Sequence, residues 1–504
     1  MLGGGPMRNA LASQPFPSLT AARWIRTVDA ASLAITFASN ACPVSDGDLV
    51  LAIGKVRPLG STSDSHRLFA FDAATGAPRW HAIIAAPVTD SFSSAVIDSA
   101  RAAAYHASGT TISAFSLVDG SLLWQRGLSR PVVNASPVIT TDRPGRNRLF
   151  ITDYDGFGQA ASLYCINLDP IDAAINPHPP GAIVWTAPIG GASGNSPTYV
   201  PAASGGIDRV YVASVGDFGF SGGVIFAFDI TTGTEAWATP GPTADGFFGS
   251  VTLARDVTGE LSVYAATYAF GGGPSSAALV KLNAGTGAGV WSTPCNRSQT
   301  TPVVLPNGLV LLSGGVSGFG SVPSLELFND AGPGVVRLWH SALDTWTDAN
   351  TNGTLDVGEY LRIGGWLQQP VVGPHAAGRA LVGVLPASGP LFGPPPQLFE
   401  VDLTTPPTAS GFIVQNAAGS GGSASFASGL IFSIGTEGLT CFGTPAPSPD
   451  VNGDGAVTVD DLAAWESGLG NLDVDRSGSV NAADRASLLA VLRGSERTDL
   501  GVAP

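Results

Sequence analysis

The residues best suited to chemistry lie near the C-terminus, in two segments that place an oxygen-bearing side chain at almost every second position. The segments are DVNGDGAVTVDD (450–461) and DVDRSGSVNAAD (473–484). Both match a twelve-residue calcium loop, which has Asp at position 1, polar oxygens at 3 and 5, Gly at 6 and a carboxylate at 12. Calcium is a hard cation that takes six to eight oxygen ligands, so the spacing predicts one calcium ion in each loop.

The predicted ligands occupy loop positions 1, 3, 5, 7, 9 and 12, with a backbone carbonyl at position 7. In the first loop they are Asp450, Asn452, Asp454, the Ala456 carbonyl, Thr458 and Asp461. In the second loop they are Asp473, Asp475, Ser477, the Ser479 carbonyl, Asn481 and Asp484. Without metal the carboxylates repel one another, so we expect this region to be largely unfolded without calcium. Two acidic turns that hold no metal are the alternative interpretation.

A third segment with the same spacing, DANTNGTLDVGE (348–359), lies in the middle of the chain. Its predicted calcium ligands are Asp348, Asn350, Asn352, the Thr354 carbonyl, Asp356 and Glu359. It falls in the long interval between Trp339 and Phe412, which indicates an insertion that the ion would rigidify. The alternative is an ordinary Asn-Gly turn.

The remaining nucleophilic and metal-ligating residues form no catalytic pattern. Ser221 lies in a GxSxG segment (219–223), but that motif requires a strand-to-helix turn, and similar Gly-rich loops recur in this chain. The six His show no HExxH spacing, so we expect them at surface or loop positions. The four Cys are far apart, so two disulfides are possible but not required. No catalytic residue is assigned, and the sequence favours a protein that is not an enzyme.

The elements that would position these residues are indicated by a repeat. Four thirteen-residue segments align without gaps: LFAFDAATGAPRW (68–80), ISAFSLVDGSLLW (112–124), IFAFDITTGTEAW (225–237) and LVKLNAGTGAGVW (279–291). Each alternates as a strand does, has Gly at the ninth place and ends in Trp, which predicts a hairpin. Repeats of roughly 40–50 residues are typical of β-propeller blades.

Counting hairpin ends gives the number of blades. The ends are Trp24, Trp80, Trp124, Trp185, Trp237, Trp291, Trp339 and Phe412, the last replacing Trp. Segment 426–443 supplies further strands without a Trp, so we expect residues around Trp24 to complete that blade and close the ring. The predicted fold class is all-β, an eight-bladed β-propeller, with seven blades as the alternative.

The repeat resembles the quinoprotein-type (PQQ-like) β-propeller, whose blades carry the hairpin YALDAxTGxxxW, over roughly residues 21–444. The resemblance implies that each Trp docks between neighbouring blades. Quinoprotein dehydrogenases also carry an adjacent Cys pair, a catalytic Asp and calcium ligands in the central funnel. This sequence has no adjacent Cys pair and no Asp that can be assigned, so PQQ binding is not favoured.

The two C-terminal loops, each followed by a short apolar helix (462–469 and 486–494), resemble a type I dockerin module, a small EF-hand-like α-helical domain. The resemblance implies tethering to a cohesin-like protein. The predicted domains are a flexible N-terminal arm (1–20), the propeller (21–444) with the insertion at 348–359, a Pro-rich linker (445–449), the dockerin-like domain (450–496) and a tail (497–504).

Composition excludes several classes of protein. Charged residues make up 12% and hydrophobic residues 44%, which excludes a disordered chain. The net charge of −15 argues against nucleic-acid binding, and no apolar run reaches the roughly 18 residues of a membrane span. The N-terminus lacks the layout of a signal peptide, so either the protein is not exported or its leader is not part of this sequence.

The leading hypothesis is a non-catalytic bacterial propeller in the extracellular space, at the cell surface or in the periplasm. It would bind a protein or glycan partner on its loop face, with the calcium-dependent dockerin-like module as a tether. The alternative is a component of polysaccharide catabolism or a PQQ-dependent oxidoreductase. In a third hypothesis, the module packs on its own propeller as a stabilising clamp. The identity of the partner and the oligomeric state stay open.

Overall fold

The structure is a computed structural model. It describes residues 4–12, 14–87, 91, 93–154, 156, 160–191, 194–215, 222–242, 246–269, 271–316, 320–331, 334–356, 358–373, 378–385, 394–404, 412–444, 451, 457–470, 472–475 and 480–499.

The described strands form eight antiparallel sheets, the blades I to VIII of a propeller. Blade I contains β2 (Ile35–Phe37), β3 (Val44–Ser45), β4 (Leu49–Val56), β5 (Ser65–Asp72) and β6 (Pro78–Ile83). Blade II contains β7 (Val96–Asp98), β8 (Ala103–Ser108), β9 (Thr111–Ser116) and β10 (Leu122–Gly127). Blade III contains β11 (Val138–Ile139), β12 (Arg148–Thr152), β13 (Ser162–Asn167) and β14 (Ile183–Pro188). Blade IV contains β15 (Thr198–Tyr199), β16 (Arg209–Ala213), β17 (Val224–Asp229) and β18 (Glu235–Pro240).

The second half of the ring repeats this plan. Blade V contains β19 (Thr252–Arg255), β20 (Leu261–Ala266), β21 (Ala277–Asn283) and β22 (Gly289–Cys295). Blade VI contains β23 (Val303–Val304), β24 (Leu309–Gly314), β25 (Ser324–Asn329) and β26 (Val336–His340). Blade VII contains β27 (Val371–Gly373), β28 (Arg379–Gly383), β29 (Gln397–Asp402) and β30 (Ile413–Ala418). Blade VIII contains β31 (Ser425–Ala427), β32 (Leu430–Gly435), β33 (Gly438–Gly443) and, from the other end of the chain, β1 (Ala22–Arg26).

Strand β1 closes the ring, as predicted. It pairs antiparallel with β33, with Trp24 opposite Cys441 and Arg26 opposite Leu439. Because the outermost strand of blade VIII precedes blade I in the chain, the two ends of the propeller sequence share one sheet. The prediction of an all-β fold with eight blades is therefore confirmed.

The repeated Trp joins each blade to the next. The ring of Trp185 lies against Gly233, where an added Cβ would be 2.6 Å from the indole. Gly233 has φ +72, so this turn favours glycine for two reasons. The indole N–H of Trp185 donates to the Ile230 carbonyl at 3.2 Å. The same contact joins further Trp–Gly pairs: Trp24–Gly76, Trp80–Gly120, Trp124–Gly181 and Trp237–Gly287. The predicted docking of Trp between blades is confirmed at these positions.

Two faces of the ring follow from the topology. The connections between blades and those between the second and third strands of a blade share one edge, which we call the upper face. The other turns, including the Gly-containing hairpins, lie on the opposite edge. The innermost strands contact one another around a central channel.

The N-terminal segment, expected to be a flexible arm, instead packs inside the ring over its described residues 4–12. Arg8 is fully buried and donates to the carbonyls of Ser136 and Pro197 at 2.8 and 2.7 Å. Backbone hydrogen bonds join the segment to blades IV, V and VII. Buried backbone carbonyls need donors, and the Arg guanidinium supplies several in one side chain.

Two other expectations need correction or completion. His106 and His340 lie buried in β8 and β26, although all six His were expected at the surface or in loops. The four Cys are free, buried thiols, so the two possible disulfides are not formed. Burial raises the pKa of Cys42 to about 11 and that of Cys441 to about 12, so neither is a thiolate at neutral pH.

Two helices lie beyond the propeller, α1 (Val459–Glu466) and α2 (Ala482–Asp499). Both start earlier than predicted, because Thr458 caps α1 four residues before the apolar run and Asn481 precedes α2. Helix α2 also continues into the predicted tail, since Gly494 alone does not end it. Val451, Val474 and Leu488 form a small buried core. Among the described helices, none has both the length and the hydropathy that crossing a membrane requires.

Candidate functional site

Each C-terminal loop is held by the carboxylate at position 12. Asp461 is fully buried and accepts hydrogen bonds from the backbone N–H groups of Val451 (2.6 Å) and Thr458 (2.8 Å). Asp484 is also fully buried and accepts from Asp475 (3.0 Å) and Asn481 (2.7 Å). The two loops therefore use the same construction, as their matching sequences predict.

Three of the predicted ligands converge in the second loop. One carboxylate oxygen from each of Asp473, Asp475 and Asp484 lies within 4.8 Å of the other two. Like charges at this separation disfavour the ionised state unless a cation or protons compensate them. The donors are all oxygens, which suits calcium better than a soft transition metal.

The other predicted ligands of the two loops are divided between described residues and residues outside them. Thr458 and Asn481 are described and lie next to the buried carboxylates. The predicted ligands that lie outside the described residues are Asp450, Asn452, Asp454, Ala456, Ser477 and Ser479.

The loop at 348–359 is folded, but its acids do not converge in the same way within the described residues. Asp348 accepts from the N–H of Gly353 at 2.9 Å, and Gly353 has φ +71 as the sharp turn requires. The side-chain amides of Asn350 and Asn352 donate to Asp356 and hold the pKa of that carboxyl below its usual value. Glu359 accepts from the Ala349 N–H at 2.9 Å. The Thr354 N–H donates to Asn352. The oxygens of this loop are therefore partly occupied by its own N–H groups.

A relay of hydrogen bonds runs along the upper end of the channel in two arcs, from blade I to blade V and from blade VI to blade VIII. In each contact, a residue two positions before an innermost strand accepts from the backbone N–H of the corresponding residue in the preceding blade. The contacts are Cys42 to Ser94, Ser94 to Ser136, Ser136 to Ser196, Ser196 to Ser250, Thr301 to Gln369 and Gln369 to Ser423. The sequence shows the Ser-Pro starts at Ser136 and Ser196 but not this relay, since only ring closure brings these side chains together.

The channel inside this relay is narrow and uncharged. Its cavity measures about 50 Å³ and is lined by amide, hydroxyl, glycine and apolar residues, among them Asn40, Asn134, Thr300 and Phe248. No acid, base or thiol lines it among the described residues. Cofactor pockets measure roughly 300–1,000 Å³. This cavity is smaller than that range, and its described lining residues include no ionisable side chain.

Two further polar features bear on function. Glu326 in β25 is fully buried, and burial raises its pKa to about 8, but it lines neither described cavity of the upper face. Asp473 of the second loop borders a cleft of about 470 Å³ together with Asp48, Asp72 and Arg79 of blade I. The GxSxG serine, Ser221, lies outside the described residues.

Comparison with known families gives one match. A family model described as outer membrane protein assembly factor BamB matches residues 21–171 and 111–339, which is more than half of the chain. No curated protein is significantly similar in sequence.

Solved structures share the fold at low sequence identity. The quinohemoprotein alcohol dehydrogenase from Comamonas testosteroni is 12% identical, with a TM-score of 0.56, and the match covers 100% of this chain and 95% of that one. A europium-containing methanol dehydrogenase is 12% identical, with a TM-score of 0.55 and coverage of 86% and 88%. Sqt1 from Chaetomium thermophilum is 11% identical, with a TM-score of 0.51 and coverage of 81% and 100%. At these identities the likeness concerns the fold alone.

Proposed function

Because the chain belongs to the protein family described as outer membrane protein assembly factor BamB, we propose that it is a non-catalytic binding propeller. Its upper face binds a protein or glycan partner, and its C-terminal module is a calcium-dependent tether. The family description names an assembly factor of the outer membrane. We extend it to a periplasmic, cell-surface or extracellular location for this chain.

The observation that carries the proposal is the construction of the channel. The N-terminal segment occupies it, with Arg8 bonded to blades III and IV, and a relay of uncharged side chains lines its upper end. Hydroxyls whose oxygens accept from backbone N–H groups fix the blades relative to one another and are not placed to act as nucleophiles. The arrangement supports a rigid platform rather than a reaction centre.

The upper face also has a cluster in which a partly exposed Phe248 packs on the buried side chains of Tyr268, Trp366 and Arg297. Tyr268 packs between Phe248 and Trp366, with ring centroids 4.8 and 5.5 Å apart. The guanidinium of Arg297 lies 5.7 Å from the centre of the Tyr268 ring. Aromatic and Arg side chains are enriched in binding hot spots. Phe248 is half-buried and therefore available to a partner.

The test of the binding face is quantitative capture of partners by the full chain from envelope extracts. Phe248→Ala should reduce recovery of an identified partner at least fivefold. The control is Leu123→Ala on the outermost strand of blade II, where the side chain is 52% exposed, and it should leave recovery unchanged. Equal recovery by all three proteins would place the partner elsewhere.

For the C-terminal module (450–496) we propose two calcium ions, and a third ion at 348–359. The convergence of Asp473, Asp475 and Asp484 supports the second site. The matching construction at Asp461 supports the first. The partner would be a cohesin-like domain. Surface plasmon resonance of the full chain on such a domain should give binding in millimolar calcium and none in EGTA or with Asp484→Ala. Binding that EGTA leaves intact would overturn the tether.

The alternatives are a component of polysaccharide catabolism and a PQQ-dependent oxidoreductase. The second is suggested by the names of two proteins that share the fold. Adding PQQ and calcium and following dye-linked oxidation of alcohols and sugars tests it. Turnover above that of a heat-denatured control would overturn the binding proposal.

The clamp hypothesis is supported by a different observation, the cleft that Asp473 shares with blade I. Hydrogen exchange on the full chain tests it. A clamp predicts that EGTA accelerates exchange in the turn between Asp72 and Arg79. A pure tether leaves this turn unchanged and affects only residues beyond 450.

A further inference from the structure

A second cavity lies between blades I and II at the upper face and shares one lining residue, Asn40, with the cavity of the channel. It measures about 340 Å³, within the range of small-molecule pockets. It opens where the innermost strand of blade I is split. Strands β2 and β3 both pair with β4, but β2 pairs at Gly54–Val56 and β3 at Val50–Leu51, so the chain leaves the sheet between them.

The split is held by a close approach at Gly54. A Cβ at this position would lie 2.9 Å from both the Ile35 Cγ2 and the Thr36 carbonyl oxygen. Glycine is therefore required for β2 to pack here. Blade I is the only sheet with five strands in the described part of the chain.

The walls of this cavity combine apolar and basic residues. Phe37, Ile53 and Ile84 supply apolar surface, and Lys55, His66 and His106 supply nitrogen atoms. No carboxylate appears among the described lining residues, although the chain has 39 acidic residues against 24 Lys and Arg. Only two of these basic residues are lysines, and one of the two, Lys55, lines this cavity. The ionisable residues of the lining are therefore basic, whereas the protein as a whole is acidic.

His106 makes no side-chain hydrogen bond to the described residues. It is 3% exposed, and its Nδ1 is among the buried polar atoms without a partner. Burial lowers the pKa of His106 to about 4, so the imidazole is neutral at pH 7. Buried polar atoms almost always have partners in proteins, so this Nδ1 makes the wall of the cavity unusual.

Lys55 keeps donors free for an anion. Its Nζ lies 3.0 Å from Asp64 Oδ2, which does not line the cavity, and its side chain is 42% exposed. An ammonium group has three donors, of which this pair uses one. His66 lies directly across the strand pair from Lys55, so both stand at the same end of the cavity.

We propose that this cavity binds a small amphipathic carboxylate, with its apolar body between Phe37, Ile53 and Ile84 and its carboxylate at Lys55 and His66. Apolar walls supply affinity, while the charged group fixes orientation. Among the described lining residues only Asn40 also borders the channel cavity and none belongs to the calcium loops, so the site adds a small-molecule ligand to a platform for macromolecules.

Three probes with one apolar body test the proposal by calorimetry on the full chain: 2-naphthoate, 2-naphthalenemethanol and 2-naphthylmethylamine. The carboxylate should bind at least fivefold more tightly than the alcohol, and the amine most weakly. Failure of naphthoate to saturate the protein, or equal binding of the amine, would overturn the proposal.

Matched variants locate the site. Ile53→Trp fills the cavity and should weaken naphthoate at least tenfold, whereas Leu123→Trp on the outer strand should change it less than twofold. Lys55→Met should weaken naphthoate at least fivefold without affecting the alcohol. Arg57→Met is its control, because Arg57 pairs with the same Asp64 but does not line the cavity. Unaltered binding by a folded Ile53→Trp or Lys55→Met protein would overturn the assignment.

Discussion

The propeller and the C-terminal module solve the problem of folding in opposite ways. The propeller packs large apolar clusters between successive blades, such as the one containing Tyr211, Val263 and Leu253. The module has three fully buried apolar residues among those described, and it also buries Asp461 and Asp484. Burial of apolar side chains can stabilise the propeller, whereas the module also requires something to balance the charge of its buried carboxylates.

The acidic residues of the two regions also differ in the groups that surround them. In blade IV, Asp229 accepts from the backbone N–H groups of Thr231 and Thr232 within its own turn. In the module, Asp473, Asp475 and Asp484 approach one another instead. An acid in a turn therefore does not indicate a metal by itself, whereas convergent acids are the arrangement for which we propose calcium. Four predictions, from the largest expected effect to the smallest, test this difference.

Chelation of calcium should separate the regions most strongly. We expect EGTA to abolish the helical signal of α1 and α2 in circular dichroism and to leave the propeller transition in place. Calcium at 1,000 times its Kd contributes about 4 kcal/mol, more than a small core can replace. Asp484→Ala should reproduce the loss, and Asp229→Ala should not. Helicity that survives chelation would remove the contrast between the regions.

Truncation of an inter-blade Trp should have the converse effect. Trp237 is 9% exposed and packs on Gly287 of the next blade. Replacing it by Ala should lower the free energy of unfolding of the propeller by about 3–5 kcal/mol. Urea unfolding in calcium and in EGTA should give the same loss, and Val118→Ala, at an exposed position, is the control. A loss that depends on calcium would couple the two regions.

The pH dependence of stability should also differ between them. Burial raises the pKa of Glu326 to about 8, with Arg337 and Asp344 as the charged groups near it. Its stabilising contribution is complete at low pH and is lost as pH rises from about 4.5 to 8, and about 2 kcal/mol of this loss falls between pH 6.5 and 8. Measurement between pH 6.5 and 8 avoids His340, whose pKa burial lowers to about 3.

Glu326→Gln should flatten this decline, since the amide keeps a hydrogen-bonding oxygen without the proton. The module should behave differently, because its carboxylates bind calcium only when ionised. Its stability in calcium should therefore not fall between pH 6.5 and 8. A propeller whose melting temperature is equally flat in the wild type would contradict the assignment of Glu326.

The smallest expected effect concerns the turn glycines. Gly233→Ala places a Cβ 2.6 Å from Trp185 at φ +72 and should cost about 1–3 kcal/mol. Gly259 also has a positive φ, but a Cβ added there would have no atom within 4 Å. Gly259→Ala therefore measures the free-energy cost of the backbone conformation alone. Thermal unfolding of both should show the larger loss for Gly233. Equal losses would mean that the Trp contact adds nothing.

The fold was predictable because its signal is local and repeated. The Gly and Trp of each hairpin lie four residues apart, so Gly233 and Trp237 mark a blade without knowledge of the rest of the chain. Ring closure through Trp24 followed from a last blade that lacked a strand. In the second C-terminal loop the spacing singled out Asp473, Asp475 and Asp484, which lie together in the structure, whereas the burial of Asp461 and Asp484 was not predicted.

What escaped prediction depends on contacts distant in sequence. Arg8 bonds to carbonyls 128 and 189 positions away, and nothing in its Gly-rich surroundings indicates that contact. His106 is buried in a strand whose neighbours are small, so sequence could not distinguish it from a surface His. The cavity beside it arises from a split strand, and residues 38–43 look like an ordinary loop.

The pairing of β1 with β33 also determines the order in which contacts form during synthesis of the chain. Arg26 emerges early in synthesis, but its partner Leu439 follows roughly 400 residues later, so this pairing is among the last contacts to form. Until then the β33 edge of blade VIII stays open, and exposed edges invite pairing with other chains. The nascent protein is therefore most vulnerable to aggregation just before completion. A chaperone that holds either end apart from other chains would act at that moment.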